Sequence, residues 1–184
     1  MILLIAIILG IIGLDQLTKW LTVINLEEYE TIPIWENVFH FTFYKNDGAA
    51  FGILDGPNQR WIFMVFSTVA IIGLLVYLFA FRPQSRYVQI TLAMIVGGGI
   101  GNMIDRILLG YVIDFIDVRL IHFAIFNVAD SFITVGAFML MGYLIWDMIR
   151  EYKAEKAKQT AAIAETVTDG EATTETGSDH GTTE

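Results

Sequence analysis

Four apolar runs dominate this chain, at about residues 1–24, 61–81, 87–109 and 127–149. Each is long enough to cross the hydrocarbon core of a bilayer, which takes roughly 20 apolar residues as a helix. Lipid offers no hydrogen bonds to the backbone, so runs of this kind span as helices. The predicted fold class is all-α membrane: a four-transmembrane-helix bundle. Three of the runs are nevertheless interrupted by polar groups. Asp15, Gln16 and Lys19 fall in the first, Asn102, Asp105 and Arg106 in the third, and Asn127 and Asp130 open the fourth. Charge in hydrocarbon is costly, so each of these residues needs a partner or a function.

Composition narrows the chemistry. Of 184 residues, 55% are hydrophobic and only 17% charged, too few for the polar surface of a soluble domain. With no cysteine, disulfides, thiolate nucleophiles and cysteine-bound metals are excluded. The first run lacks a preceding basic residue and a small-x-small cleavage site, and is expected to be a retained helix. More than half of the formal net charge of −9 lies in residues 151–184. This charge argues against nucleic acid as a partner. The membrane domain is therefore placed at 1–150. Residues 151–184 are expected to be an acidic, disordered cytoplasmic tail: from about Thr160 they have almost no large apolar residue to bury. His180, alone in that tail, carries no signal.

The segment 25–59 is acidic, with Glu27, Glu28, Glu30 and Glu36, and Pro33 excludes a helix interior there. From Val38 to Tyr44 the residues alternate, with Phe39, Phe41 and Phe43 on one face, which is a strand pattern. Asn46-Asp47-Gly48 is a turn signal, followed by small residues. One reading is a small external β-sheet on the membrane surface, over about 34–56, with its Phe face toward lipid or the helices; the other is an ordinary interfacial loop. Residues 110–126 form a mixed segment with Asp114, Asp117, Arg119 and His122. Arg82 and Arg86 between the middle spans, and Arg150, Lys153, Lys156 and Lys158 after the last, fall on one side. The positive-inside rule makes that side cytoplasmic, with both termini, and puts 25–59 and 110–126 outside.

Depth then brings the polar residues together. Asp15 and Lys19 lie toward the outer end of span one, Asn102, Asp105 and Arg106 near the outer end of span three, and Asn127 and Asp130 at the outer start of span four. Asp15 and Lys19 share a helix face at i,i+4. They suit a self-neutralising pair with Lys19 snorkelling to the interface, and equally a place in a site. Gly98, Gly99 and Gly101 permit close approach of another helix. Asp114 and Asp130 flank a connection short enough for their carboxylates to face each other. Two carboxylates in a low-dielectric site share a proton, a state suited to peptide hydrolysis, in which one activates water and the other donates to the carbonyl. On spacing alone, a structural ion pair with Arg106 or Arg119 and a proton- or cation-coupled transporter remain open. His40 and His122 lack metal-ligand spacing, no HExxH is present, and Ser131 lacks a G-x-S-x-G frame and is read as helix packing.

Five dispersed motifs carry a resemblance. They are Asp15-Gln16-x-x-Lys19, Asn46-x-Gly48-x-Ala50-Phe51, Gly98-Gly99-x-Gly101-Asn102-x-x-Asp105-Arg106, Val112-x-Asp114-Phe115 and Phe126-Asn127-x-Ala129-Asp130-Ser131. In this order across four spans, the chain resembles lipoprotein signal peptidase (signal peptidase II), a family of bacterial membrane aspartic peptidases. The resemblance implies removal of the signal peptide from prolipoproteins, just before a diacylglyceryl-modified cysteine. It implies a catalytic dyad at Asp114 and Asp130. Asp15, Lys19, Asn46, Gly48, Asn102, Asp105, Arg106 and Asn127 match motif positions that bind substrate or support its site. It further implies a bacterial cytoplasmic (inner) membrane location with the site near the outer leaflet, contact with membrane lipids, and inhibition by globomycin-type cyclic peptides. No metal or organic cofactor is implied, and a monomer is expected.

Overall fold

In the computed structural model, which describes residues 1–48 and 59–175 of the chain (without the side chains of 59, 60, 62, 63 and 161–175), the elements are four long helices and a three-stranded sheet. Helix α1 spans Ile2–Asn25, α2 Gln59–Val76, α3 Arg86–Leu108 and α4 Val128–Glu175. A turn of π-helix, Tyr77–Phe81, extends α2 to its end at Arg82, which is left-handed at φ 50°. Among the described residues, four helices are long and apolar enough to cross a membrane. By compactness the chain divides into Met1–Leu140 and Met141–Glu184. The first unit holds the sheet and every site residue named above; the second is the distal part of α4.

Helix α3 is the centre of the first unit: 56% of its span is buried, against 6% of α2. Three consecutive glycines explain how one helix serves three neighbours. Successive helical residues point about 100° apart. A Cβ on Gly97 would press on Ile8 and Ile11 of α1, one on Gly98 on the Ala129 carbonyl and Ile133 of α4, and one on Gly99 on Ile71 of α2. Helix α1 buries a single stripe, Leu4, Ile8, Ile11, Asp15, Lys19 and Thr22. The stripe changes from hydrocarbon to charge halfway along. The opposite face, with Leu9, Leu14, Leu17 and Trp20, is exposed and suits lipid.

The sheet has order β1-β2-β3, antiparallel throughout, with β1 at Thr31–Trp35, β2 at Phe39–Asn46 and β3 at Val112–Asp117. Strand β2 follows the alternation seen in the sequence. Strands β1 and β3 were not anticipated. Pro33 obscured β1, but it is tolerated because β1 is an edge strand. In β3 both faces are largely buried, so the run Val112–Asp117 shows little alternation. Gly110, at φ 93°, makes the turn from α3 into β3. The Phe face of β2 also departs from expectation. Phe43 packs with Leu26 and Ile113 in the core, yet Phe39 and Phe41 are half-buried, while His40 and Thr42 on the other face are buried. Ala50 and Phe51, and the part of the expected β segment from 49 to 56, lie outside the described residues.

Helix α4 also runs past the expected end of the fourth span. It continues to Glu175, through the stretch expected to be a disordered tail. The Ala, Glu and Lys of residues 151–165 are good helix formers and need no burial to adopt this conformation.

The glycine packing leads to a contrast. Gly98→Ala forces Cβ against the Ala129 carbonyl and to 2.8 Å from Ile133, and overpacking of this kind costs about 1–3 kcal/mol. Gly10 has nothing within 4 Å. Thermal unfolding in detergent is expected to show a lowered midpoint for Gly98→Ala and none for Gly10→Ala; equal midpoints would remove the packing explanation.

Candidate active site

The start of α4 is built as a capping box. Asn127 accepts the Asp130 N–H on its Oδ1 (2.9 Å), and Asp130 reciprocates by accepting the Asn127 N–H on Oδ2 (3.3 Å). This arrangement satisfies two of the backbone donors left open at a helix start. The spacing Asn127-x-x-Asp130 is what the box requires, so the position of the Asp130 carboxylate follows from local chain geometry. Its Oδ1 accepts the Asn102 side-chain amide at 2.7 Å. Ser131 donates to the Asn127 carbonyl (3.0 Å), a bond within the helix that fits its reading as packing.

Asp114, on β3, is brought to the Asn127 side chain. Asn127 Nδ2 donates to Asp114 Oδ1 (2.7 Å), and Asn46 Nδ2 donates to Asp114 Oδ2 (2.8 Å). Asn46 is aimed by its own turn: its Oδ1 accepts the Gly48 N–H at 2.9 Å, with Gly48 at φ 93°, a conformation that favours glycine. Strand β3 is fixed next to Asp114 by Asp105, which accepts the Ile113 N–H at 3.1 Å. The Asp114 side of the site is 1% exposed, whereas Asp130 is half-buried. Burial pushes the Asp114 carboxyl up to about 7, the Asp130 charge adds to the rise, and the Asn46 and Asn127 bonds oppose it. Both carboxyls thus bond Asn127, Asp114 through its side-chain amide and Asp130 through its backbone N–H, but their environments differ.

Behind both sits Lys19. Its ammonium donates to Asp15 Oδ2 (2.8 Å), Asp105 Oδ2 (2.9 Å) and Asn102 Oδ1 (2.9 Å), which uses all its donors. The i,i+4 pairing with Asp15 is as expected, but Lys19 does not snorkel: it is 1% exposed, because partners within the bundle replace water. Asp15 Oδ1 in turn accepts the Ala129 N–H at 2.9 Å, at the positive end of α4. Asn102 accepts from Lys19 and Asn127 and donates to Asp130. Gln16, a polar residue in the first run and part of a motif, is given no site role by the sequence. It donates to Asp105 Oδ1 (2.9 Å) and the Gly101 carbonyl (3.2 Å), tying α1 to α3. An amide in an apolar run was the available signal.

Not all the matched residues face open space. Asp15, Lys19, Asp105, Asn102 and Asn127 are buried and spend their polar atoms largely on one another. Asn102 also borders a cleft of about 270 Å³, together with Arg106 and Asp130 at its polar end. Ala70, Ile71 and Leu74 of α2, Ile95 of α3 and Ile133 of α4 make most of the remainder, with Ser67 of α2 a further polar side chain. Arg119 pairs with Asp117 (2.9 Å) rather than with either carboxyl of the Asn127 pair. Among the described residues, no group of three or more His, Asp or Glu is placed to hold a metal ion.

Removing one partner from a buried ionic cluster typically costs about 3–5 kcal/mol. Lys19→Met leaves Asp15 and Asp105 without their cation, and a large drop in thermal stability in detergent is the expected result. A midpoint matching the parent chain would show that the cluster does not hold the bundle together.

Comparison with known proteins supplies the context. Residues 7–146 match the family model described as signal peptidase (SPase) II. The chain is 43% identical over 146 residues to the lipoprotein signal peptidase of Brevibacillus brevis, covering 79% of this chain and 94% of that protein. It is 45% identical to the one from Halalkalibacterium halodurans (82% and 94% covered) and 41% identical to the one from Bacillus subtilis (79% and 94%). Two solved bacterial membrane enzyme structures, each 29% identical, superpose with TM-scores of 0.71 and 0.69, covering 79% and 77% of this chain and 88% and 91% of theirs. On these matches, the chain belongs to the signal peptidase II family of membrane peptidases.

Proposed function

We propose that this chain is an aspartic endopeptidase that cleaves prolipoproteins just before the diacylglyceryl-modified cysteine, with Asp114 and Asp130 as its catalytic pair. The observation that carries the reading is their convergence on Asn127, directly behind the Asp130 carboxyl that borders a largely apolar cleft. Asp130, at the cleft, is the base: it takes a proton from water as the oxygen attacks the scissile carbonyl carbon. Asp114, raised to about 7, is the acid and protonates the carbonyl oxygen. The tetrahedral diol then collapses. Its hydroxyl proton returns to Asp114, the C–N bond breaks, and the proton on Asp130 passes to the departing amine of the cysteine. Arg106, bordering the cleft, binds a substrate carbonyl, and Ile71, Leu74 and Ile133 receive apolar side chains of the signal peptide. Asp15, Lys19, Asn46, Gly48, Asn102, Asp105 and Asn127 hold the pair in place.

The basic residues Arg82, Arg86, Arg150 and Lys153 support cytoplasmic termini in a bacterial inner membrane, which sets the sheet end of the bundle at the outer leaflet. A lipid-anchored cysteine presents its scissile bond at that depth. The same cleft is the proposed seat of a globomycin-type inhibitor, and the working unit is a monomer among membrane lipids. Residues 151–184 are an appendage, and truncation after Lys158 is expected to leave the cleavage rate close to that of the full chain.

The decisive assay is cleavage of a diacylglyceryl-cysteine prolipoprotein by purified protein, with the unlipidated precursor as control. Asp114→Asn and Asp130→Asn are each expected to remain folded and lose cleavage by several orders of magnitude; full activity in either sinks the reading. The pH profile follows from the acid role. Asp114 is protonated below its raised value and loses its proton above it, so kcat/KM falls as pH rises through about 7. Asn46→Ala removes a bond that favours the charged form, so the falling limb moves to higher pH. A limb that stays in place, or moves down, would show that it belongs to another group.

A further inference from the structure

Strand β3 is held at several points, and one of them has a consequence for Asp114. In the β2–β3 ladder His40 faces Asp117 and Phe41 faces Ile116, but farther along Tyr44 faces Asp114 and Lys45 faces Ile113. Between these halves β2 contains one residue more than β3, a bulge. A bulge interrupts the ladder and leaves the extra residue unpaired. Because side chains alternate, a slip of one residue would turn Asp114 to the opposite face. The backbone bonds alone are therefore weakest where the register that aims Asp114 has to be chosen.

Side chains close that gap. Thr42, within the bulged stretch, donates its hydroxyl to Asp117 Oδ2 at 2.8 Å, and Arg119 Nε donates to the same oxygen at 2.9 Å. The Arg119 NH2 group reaches Thr31 Oγ1 on β1 (3.1 Å), and the Thr31 and Thr42 hydroxyls are 2.7 Å apart. One carboxylate thus gathers all three strands. It is 7% exposed. Burial works against its ionisation, but the Arg119 and Thr42 bonds outweigh burial and keep the carboxyl below its ordinary range, so it remains an acceptor. His40 faces Asp117 across the ladder; its Nδ1 is 3.4 Å from Thr31 Oγ1, and its Nε2 has no partner among the described residues. On the other side of β3, Phe115 and Ile116 donate N–H bonds to the Phe126 carbonyl, immediately before Asn127. Asp114 lies between the Asp105 bond at Ile113 and these two attachments.

We propose that Asp117 is a positioning residue for the reaction: by tying Thr42 and Arg119 to the end of β3 it selects the bulged register in which Asp114 meets Asn46 and Asn127. It touches no substrate and acts through Asp114. The inference rests on the reading of Asp114 as a catalytic group.

The test uses the full-length protein in detergent, with Asp117→Ala, Asp117→Asn, Thr42→Val and Asp114→Asn. Cleavage of the lipidated precursor is measured as kcat and KM at pH values on both sides of neutrality, beside thermal unfolding. Misplacement of a reacting group by about 1 Å costs on the order of 100-fold, so Asp117→Ala is expected to lower kcat by about tenfold or more, with KM little changed. Looser Asn46 and Asn127 bonds favour protonated Asp114, so the falling limb of kcat/KM moves to higher pH. Asp117→Asn keeps an oxygen for the Thr42 hydroxyl and recovers part of kcat. Thr42→Val is expected to lower kcat in the same direction, and to add little to Asp117→Ala, because both remove the Thr42–Asp117 bond. A folded Asp117→Ala protein with unchanged kcat and an unmoved limb overturns the proposal, even if its unfolding midpoint falls. If Asp117→Ala does not fold, Thr42→Val decides by the same two readouts. Full activity in Asp114→Asn instead overturns the underlying reading, whereas an inactive Asp114→Asn beside a fully active Asp117→Ala overturns the positioning role alone.

Discussion

The Lys19 ammonium is the interaction on which the remaining polar structure hangs. A buried cation must be matched by acceptors of good geometry, since little solvent is present to screen or replace them. Its three acceptors, Asp15, Asp105 and Asn102, each pass the constraint to a different part of the chain. Asp15 holds the Ala129 N–H and so the first turn of α4. Asp105 holds the Ile113 N–H and so the strand that carries Asp114. Asn102 presents its amide to Asp130. One cation in α1 thus orients both carboxyls of the proposed dyad without touching either.

Amides do the final positioning. Asn46, Asn102 and Asn127 offer N–H donors to carboxylates without adding charge, and each is itself aimed by a bond to its own oxygen. A second cation at these positions would neutralise the carboxyls and erase the difference between them. With amides, that difference is left to burial. Asp114 is enclosed and biased toward its protonated form, while Asp130 borders the cleft. Environments that separate two like groups are what acid–base division of labour requires. Three adjacent glycines make this possible, because α1, α2 and α4 can approach α3 closely enough for side chains from α1, α3, α4 and the sheet to meet.

How much of this was legible in the sequence differs by residue. The capping box at Asn127 and Asp130, the pairing of Asp15 with Lys19 and the Asn46–Gly48 turn are local: residues within four positions determine them, and the spacing is visible in the chain. The alternation of β2 was visible for the same reason. Strand β1 was hidden by Pro33, and β3 by burial on both faces. Gln16 stands out in the sequence as a polar residue in an apolar run, but its partners on α3 lie 85 and more positions away and leave no local pattern.

The sequence by itself determined the four spanning helices, the face on which each polar residue lies, and, through dispersed motifs, membership of a peptidase family. These follow from helical periodicity and from the cost of polar groups in hydrocarbon, both readable along the chain. Only the tertiary structure decided which acceptor each donor takes. Lys19 had an exposed interface and a buried cluster open to it, and Arg119 had either Asp117 or the Asp114 and Asp130 pair as a candidate partner. The choice depends on distances between groups far apart in the chain: Asn46 to Asp114, Asn102 to Asp130, Asp15 to Ala129. Partners of buried polar groups are set by packing across elements, and no periodicity within one element records them.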